Sequence, residues 1–431
     1  MAISRGLSFI VAAVLCCPAY AFAAEALPRA KPEDAGMSSE RLADIGKALN
    51  AEIARGQMPG AVVAVARKGK LVFFEAFGYR DKDAGAPMTT DAIFNIASMT
   101  KPMTSVAALQ LYEQGRVLMD DPLAKYFPKF GDTKVAVMDA ARENIVDRVP
   151  AARKITVQDL FRHTSGLIYG GRGATPVHKL FPDGSGAASA AMTGPEFLDR
   201  LSSVPVLHQP GTVWDYGFGL DVLGLVVESL TEQSLGQYLQ ERVIKPLGMV
   251  DTDFFVPDSK HDRFSANYQA GAGGKLEVID DPTKSRYLKP RTVNSGGGGL
   301  VSTASDYLRF CKFMLNKGEL DGVRLLGRKT VELMTMNHLK GDMADMGTPR
   351  WSESTAEGIG FGLGFSVTLD PAKAHIVGSR GEFSWGGAAS TTFWCDPTED
   401  MAVVMLTQLM PSTTYPIRRE LRVLAYQAIV D

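Results

Sequence analysis

Cysteine and histidine are scarce in this chain of 431 residues, which has four of the first and six of the second. Cys16 and Cys17 stand in the N-terminal run, leaving Cys311 and Cys395 as the thiols of the body. They fit either one disulfide or two unpaired core thiols, and the unpaired state is the expected one. His163, His178, His208, His261, His338 and His375 include no pair at i, i+4 and no HExxH, so no metal site is expected. Runs of Lys or Arg long enough to track phosphates are also missing. With 46 basic against 48 acidic residues the formal net charge is −2, and nucleic acid is not an expected partner. No repeat or low-complexity stretch occurs. The one sustained apolar run, Leu7 to Cys17, is shorter than the roughly 20 residues that span a bilayer. Arg5 before it and Ala21-Phe22-Ala23 behind it mark residues 1–23 as a secretory signal peptide, cut after Ala23 or Ala24. The expectation is an exported protein, periplasmic or secreted, with no membrane span.

What is present is enough for a large core: 45% of the residues are hydrophobic and 22% charged, which suits one large domain or two intertwined ones. "MSSERLADIGKALNAEIARG" has helical apolar spacing behind a serine cap and stops at Gly56. "GAVVAVARKGKLVFFEAFG" reads as a hairpin turning at Lys68-Gly69-Lys70. Three more strands are expected in "GIGFGLGFSVTL", "GEFSWGGAASTTFWCDP" and "DMAVVMLTQ", with a closing helix from Tyr415 to Val430. Between hairpin and late strands the chain reads as helices and long irregular connections, notably 166–194 and 251–299, a length of loop that is usually functional. The implied layout is a sheet-plus-helix domain from residues 24–90 and 300–431, and a helical, loop-rich domain from 91–299 whose loops rim a cleft.

The stretch "FNIASMTKPMTS" holds Ser98 and Lys101 three positions apart, on one face of a helix and within mutual reach. A serine in the first turn also has helix N–H groups aimed at any oxyanion forming there. A lysine that accepts a proton near neutral pH must fall by about 3 units from its usual 10.4, a shift that burial and a neighbouring cation impose. The competing hydrolase signature GxSxG is absent. "HQPGTVWDYGFGLDVLG" sets Tyr216 just before a helix, where a phenol can face a cleft or sit in the core. "EFSWGGAAS" sets Trp385, Gly386 and Gly387 within an expected strand, where paired glycines imply either a bulge or the close approach of a backbone or ligand.

Taken together, "SMTK", "LFRHTSGL", "PGTVWDYG", "NSGGGGLVSTASDYLRF" and "WGGAASTTFWCDP", in this order, resemble the serine β-lactamase and penicillin-binding-protein superfamily, on its class C-like branch of family VIII carboxylesterases. The resemblance covers nearly all of the mature chain. It implies an α/β (α+β) fold with an antiparallel sheet flanked by helices beside a mainly helical domain. It further implies that Ser98 attacks a carbonyl, Lys101 takes or relays its proton, and Tyr216 serves as second base. The backbone N–H groups of Ser98 and Ala388 would form the oxyanion hole, and Trp385, Gly386 and Gly387 would lie along the substrate, with Phe218 and Tyr169 in the pocket. His163 of "HTSGL" is left a structural role. Two departures separate this chain from the β-lactamases: Phe218 stands where their Tyr-x-Asn motif has asparagine, and Trp385 where Lys-Thr-Gly has lysine. Losing a charge-assisted contact forfeits roughly 1.5 to 3 kcal/mol of binding, so an uncharged ester is the expected substrate and no cofactor is implied. A β-lactamase or D-alanyl or amide hydrolase is the alternative, and a non-catalytic cell-wall-binding protein a more distant one. Oligomeric state stays open.

Overall fold

The computed structural model describes residues 27–347 and 355–431; the expected signal peptide lies outside them. After helix α1 (Ser39–Ala54), capped by the Ser38 hydroxyl, come strands β1 (Gly60–Arg67) and β2 (Lys70–Asp81). Lys68 and Gly69, both at positive φ (51° and 71°), make the two-residue turn between them, the twist-matched geometry a tight hairpin needs. Strand β3 (Ala86–Pro87) extends this hairpin. The rest of the sheet comes from the far end of the chain: β4 (Ile359–Phe361), β5 (Ser366–Thr368), β6 (Phe383–Gly386), β7 (Thr392–Asp396) and β8 (Met401–Thr407). The eight strands run in the order β4-β5-β6-β7-β8-β1-β2-β3, and every pairing is antiparallel.

Two of the three late segments thus hold two strands each. "GIGFGLGFSVTL" breaks at Gly364 (φ 103°), where an added Cβ would collide with the Ser105 hydroxyl. "GEFSWGGAASTTFWCDP" turns at 387–391, so Gly386 ends a strand and Gly387 lies beyond it rather than inside one.

Every residue of β1 is buried, because both faces of the sheet are covered. Ala61, Val63 and Val65 face α1 and the closing helix α10 (Ile417–Tyr426). Val62, Ala64 and Ala66 face the helical body. At the centre of that body is α2 (Thr100–Glu113), buried on nearly all sides; the helices α3 (Val157–Phe161), α4 (Ser185–Ala191), α5 (Gly194–Ser203), α6 (Gly219–Thr231), α7 (Leu235–Leu239), α8 (Ala304–Leu315) and α9 (Arg328–Met334) complete the main helical set. α4 lies within 166–194, which reads as irregular in the sequence. The small hairpin of Lys134–Met138 with Ile145–Pro150 was likewise not expected. Cys311 on α8 and Cys395 on β7 are both buried and unpaired, with the Cys395 thiol 3.8 Å from the Cys311 carbonyl. Among the described residues no helix is long and apolar enough to cross a membrane.

Candidate active site

Ser98 sits on the short 3-10 turn Ala97–Met99 that leads into α2. Ala97 before it has φ 42°, a left-handed conformation costly for a residue with a Cβ. Hydrogen bonds hold the turn in place: the Ala97 N–H donates to Asn95 Oδ1 (2.9 Å), and the Thr100 hydroxyl to the Ala97 carbonyl (2.7 Å). Thr100 Oγ1 in turn accepts the Leu300 N–H (3.0 Å), and Phe94–Asn95 pairs with Val301–Ser302. The glycine-rich segment before Leu300 is thereby fastened beside α2.

One turn into the helix, Lys101 is 0% exposed while Ser98 stays partly open. Its Nζ lies 3.1 Å from Ser98 Oγ, 3.3 Å from the Tyr169 hydroxyl and 2.6 Å from the Gly297 carbonyl. The same amine stands 4.6 Å from the centroid of the Tyr216 ring. Lys101 thus touches the Ser98 hydroxyl and lies over the Tyr216 ring.

Tyr216 is held by the "HTSGL" segment. The Asp215 N–H donates to the His163 carbonyl (2.9 Å), the Phe218 N–H to the Leu167 carbonyl (2.7 Å), and Gly217 bridges Ile168. A Cβ on Gly217 would collide with the Leu167 carbonyl, so the close approach requires glycine there. His163 packs on Tyr216 with ring centroids 4.5 Å apart, and its Nδ1 accepts the Gly217 N–H (3.4 Å). Burial first, then the charges of Lys101 and Arg172, push its pKa well below the ordinary value, so the imidazole is neutral and supports rather than shuttles.

The end of β6 closes the site from the sheet side. Trp385 packs against Tyr216 (5.6 Å between centroids) and edge-on to Phe361 (5.1 Å). An added Cβ on Gly387 would stand 2.5 Å from the Ile96 carbonyl, two residues before Ser98; the second glycine is what lets the turn that carries Ala388 approach the nucleophile. Gly386 serves the opposite face, where its missing side chain leaves room for Arg418, whose Cζ a Cβ would meet at 3.0 Å. Phe218 does not face the cleft. It is 0% exposed, edge-on to Tyr169 (4.6 Å) and to Phe197 (5.1 Å), and so supports Tyr169 instead of touching a substrate.

The sequence reading missed the group behind Lys101. Tyr169 reaches the Ser185 hydroxyl (2.6 Å), Ser185 donates to Asp221 Oδ2 (2.6 Å), and Ser295 and the Gly297 N–H donate to Asp221 Oδ1 (2.5 and 3.1 Å). Because the Ser185 proton goes to the carboxylate, the Tyr169 proton goes to Ser185, and Lys101 donates to Tyr169: one polarised chain ending on a buried carboxylate. Burial, then the Asp221 charge, hold the Tyr169 phenol well above its ordinary pKa, keeping it a neutral donor. Arg172, also unforeseen, sets its guanidinium 5.3 Å from the Tyr216 ring centroid.

With a serine, a buried amine and an approaching turn in one place, the arrangement suits acyl transfer through a covalent intermediate. The β-lactamase family profile matches residues 42–428. This chain belongs to the β-lactamase family. Among the chain's relatives, protein Rv1367c of Mycobacterium tuberculosis is 38% identical over 368 residues, covering 83% of this chain and 87% of its own length. Esterase EstB of Burkholderia gladioli is 31% identical over 366 residues, 81% of this chain and 86% of the esterase. The solved structure of EstCE1, described as a hydrolase with promiscuous acyltransferase activity, superposes with a TM-score of 0.75 at 26% identity, covering 91% of this chain and 99% of that one. The mixed α and β architecture, with its antiparallel sheet and flanking helices, is therefore the β-lactamase/transpeptidase-like fold, and the likeness is to its family VIII carboxylesterase-like serine hydrolases.

Proposed function

We propose that this protein is a serine carboxylesterase that cleaves small uncharged esters through an acyl-enzyme on Ser98. The observation that carries the reading is the buried Lys101 amine 3.1 Å from the Ser98 hydroxyl. In its neutral form the amine donates to the Gly297 carbonyl and to Tyr169, and turns its lone pair to the Ser98 proton. Ser98 Oγ then attacks the ester carbonyl while the N–H groups of Ser98 and Ala388 receive the oxyanion. Collapse expels the alcohol, which takes its proton through Tyr216 and Lys101, and a water activated by the same pair releases the acid. Trp385 in place of a cation on the strand beside Ser98 favours an uncharged substrate. The likeness to EstB and EstCE1 supports an ester over an amide as the scissile bond.

The test runs a p-nitrophenyl butyrate assay beside a chromogenic cephalosporin, with Ser98→Ala as control. The expected result is ester turnover that vanishes in the variant, and a fluorophosphonate label mapped to Ser98. Turnover of the cephalosporin only would transfer the site to lactam hydrolysis, and absence of both turnover and labelling would leave a binding protein. Export belongs to the same proposal: N-terminal sequencing of the protein from its native cells should begin at Ala24 or Glu25, and an intact Met1 on the mature protein would refute it.

A further inference from the structure

The two N–H groups that would receive the oxyanion belong to separate pieces of chain. Ser98 follows the short strand Phe94–Asn95, and Ala388 stands in the 387–391 turn between β6 and β7. Each piece holds a residue with a Cβ in the left-handed region: Ala97 at φ 42° and Ser390 at φ 65°. Such a conformation costs energy and persists only where its surroundings enforce it. A hole assembled from two strained turns fits an oxyanion only while their spacing is held.

Direct bonding between the two turns is weak: the Thr391 hydroxyl donates to the Ile96 carbonyl at 3.4 Å, a long bond. The firmer connection runs through the residues that follow β8. Leu409 holds the far turn twice, its N–H donating to the Ala389 carbonyl (3.1 Å) and its carbonyl accepting the Ser390 hydroxyl (2.6 Å). Gln408 holds the near one: its Nε2 donates to the Asn95 carbonyl (2.9 Å), and Asn95 Oδ1 accepts the Ala97 N–H (2.9 Å). The bridge is itself anchored. Gln408 Nε2 also donates to the Thr407 carbonyl (2.7 Å), the Thr407 hydroxyl donates to the Gly60 carbonyl of β1 (2.6 Å), and the Gln408 carbonyl accepts the Tyr268 N–H (3.1 Å). Two carbonyl acceptors settle which end of the amide carries nitrogen. Gln408 is 2% exposed, and its Oε1 is buried with no hydrogen-bond partner among the described residues. A side chain that merely filled this space would be better apolar, because a buried acceptor without a donor is costly. What the amide supplies is the donor to Asn95.

We propose that Gln408 is a positioning residue for the oxyanion hole: through Asn95 on one side, and through Leu409, Ala389 and Ser390 on the other, it sets the separation of the Ser98 and Ala388 N–H groups. It touches neither substrate nor the reacting atoms. The inference rests on the acyl-enzyme reading above, so its test needs a readout of the hole that does not depend on which carbonyl the enzyme cleaves. A trifluoromethyl ketone provides one. Ser98 Oγ adds to its carbonyl carbon, the carbonyl π electrons move onto oxygen, and the serine proton passes to Lys101; the hemiketal oxyanion then occupies the hole, and no group leaves.

The full-length parent and Gln408→Met are compared in p-nitrophenyl butyrate kinetics, in the inhibition constant of trifluoroacetophenone and in the urea midpoint. Methionine fills a similar volume and removes the unpartnered acceptor along with the donor, so the midpoint is expected to hold. The expected result is a fall of about 10- to 100-fold in both kcat and ketone affinity, with KM within about twofold of the parent, since a displaced donor costs less than a deleted one. Ser390→Gly relieves the left-handed φ while cutting the hydroxyl link to Leu409; it should show the same split to a lesser degree, and it decides the question if Gln408→Met does not fold. Unchanged kcat and ketone affinity in the folded variant would overturn the proposal, as would a rise in KM that leaves both unchanged. A parent that forms no ketone adduct would instead overturn the acyl-enzyme reading, and this inference with it; that outcome is read before any variant is made.

Discussion

Replacing Lys101 by methionine is expected to lower kcat/KM for a p-nitrophenyl ester by about 10²- to 10⁴-fold, the range a positioned general base contributes, while leaving the fold at least as stable. The two halves have one cause. Lys101 is wholly buried on a helix packed on nearly all sides, where an amine is costly to hold. Methionine fills a similar volume without needing hydrogen bonds. Against this gain stand the Gly297 carbonyl and the Tyr169 hydroxyl, each of which loses a partner at 2.6 and 3.3 Å respectively, at about 1 to 3 kcal/mol for an unsatisfied group. The opposing terms are of similar size, so the urea midpoint should stay level or rise. Steady-state kinetics and urea unfolding on the same preparation check both halves. Activity within tenfold of the parent would remove Lys101 from the chemistry; a collapsed midpoint would make it structural.

How much of this was visible in the amino-acid order depends on how local each feature is. The hairpin of β1 and β2 shows in its two β-rich runs and its Lys-Gly turn, and Ser98 and Lys101 show because a three-residue spacing on a helix is itself a geometric statement. The breaks within the late strands were hidden because a strand and a tight reversal share the same glycine-rich, apolar composition; the reversal needs glycine at 364 because its φ is 103° and a Cβ there would collide with Ser105 of α2. Phe218 was assigned to the pocket because it stands at the asparagine position of the Tyr-x-Asn motif, but at the entry into α6 it packs edge-on to Tyr169 instead. Asp221 left no signal, since an acid in the first turn of a helix has an ordinary explanation in the helix dipole. Its partners Ser185 and Ser295 are 36 and 74 residues away. Only the fold brings them together.

That carboxylate is where the second large effect is expected. Asp221 fixes Lys101 by two routes: through Ser185 and Tyr169 to the amine, and through the Gly297 N–H, whose own carbonyl accepts from the amine. Asp221→Ala strips the acceptor from three buried donors at once, so it is expected to cost several kcal/mol of stability at about 1 to 3 kcal/mol per unsatisfied group, and its kinetics would be confounded by partial unfolding. Asp221→Asn separates the two contributions. The amide oxygen can still accept from Ser295 and Gly297, but the amide nitrogen cannot accept from Ser185. Ser185 must then reverse and offer its proton to Tyr169, whose proton turns towards Lys101 and opposes the donor that the amine was presenting. The expected outcome is a near-native midpoint with kcat reduced roughly 10- to 100-fold, a loss of about 1.4 to 2.7 kcal/mol of transition-state stabilisation, and KM little changed because Asp221 is buried and reaches the amine only through other groups. Tyr169→Phe cuts the same route one step closer and should reduce kcat similarly; combined with Asp221→Asn it should add little, since members of one network are non-additive. If the double variant instead multiplies the two losses, Asp221 acts on Lys101 through Gly297 and the tyrosine route is incidental.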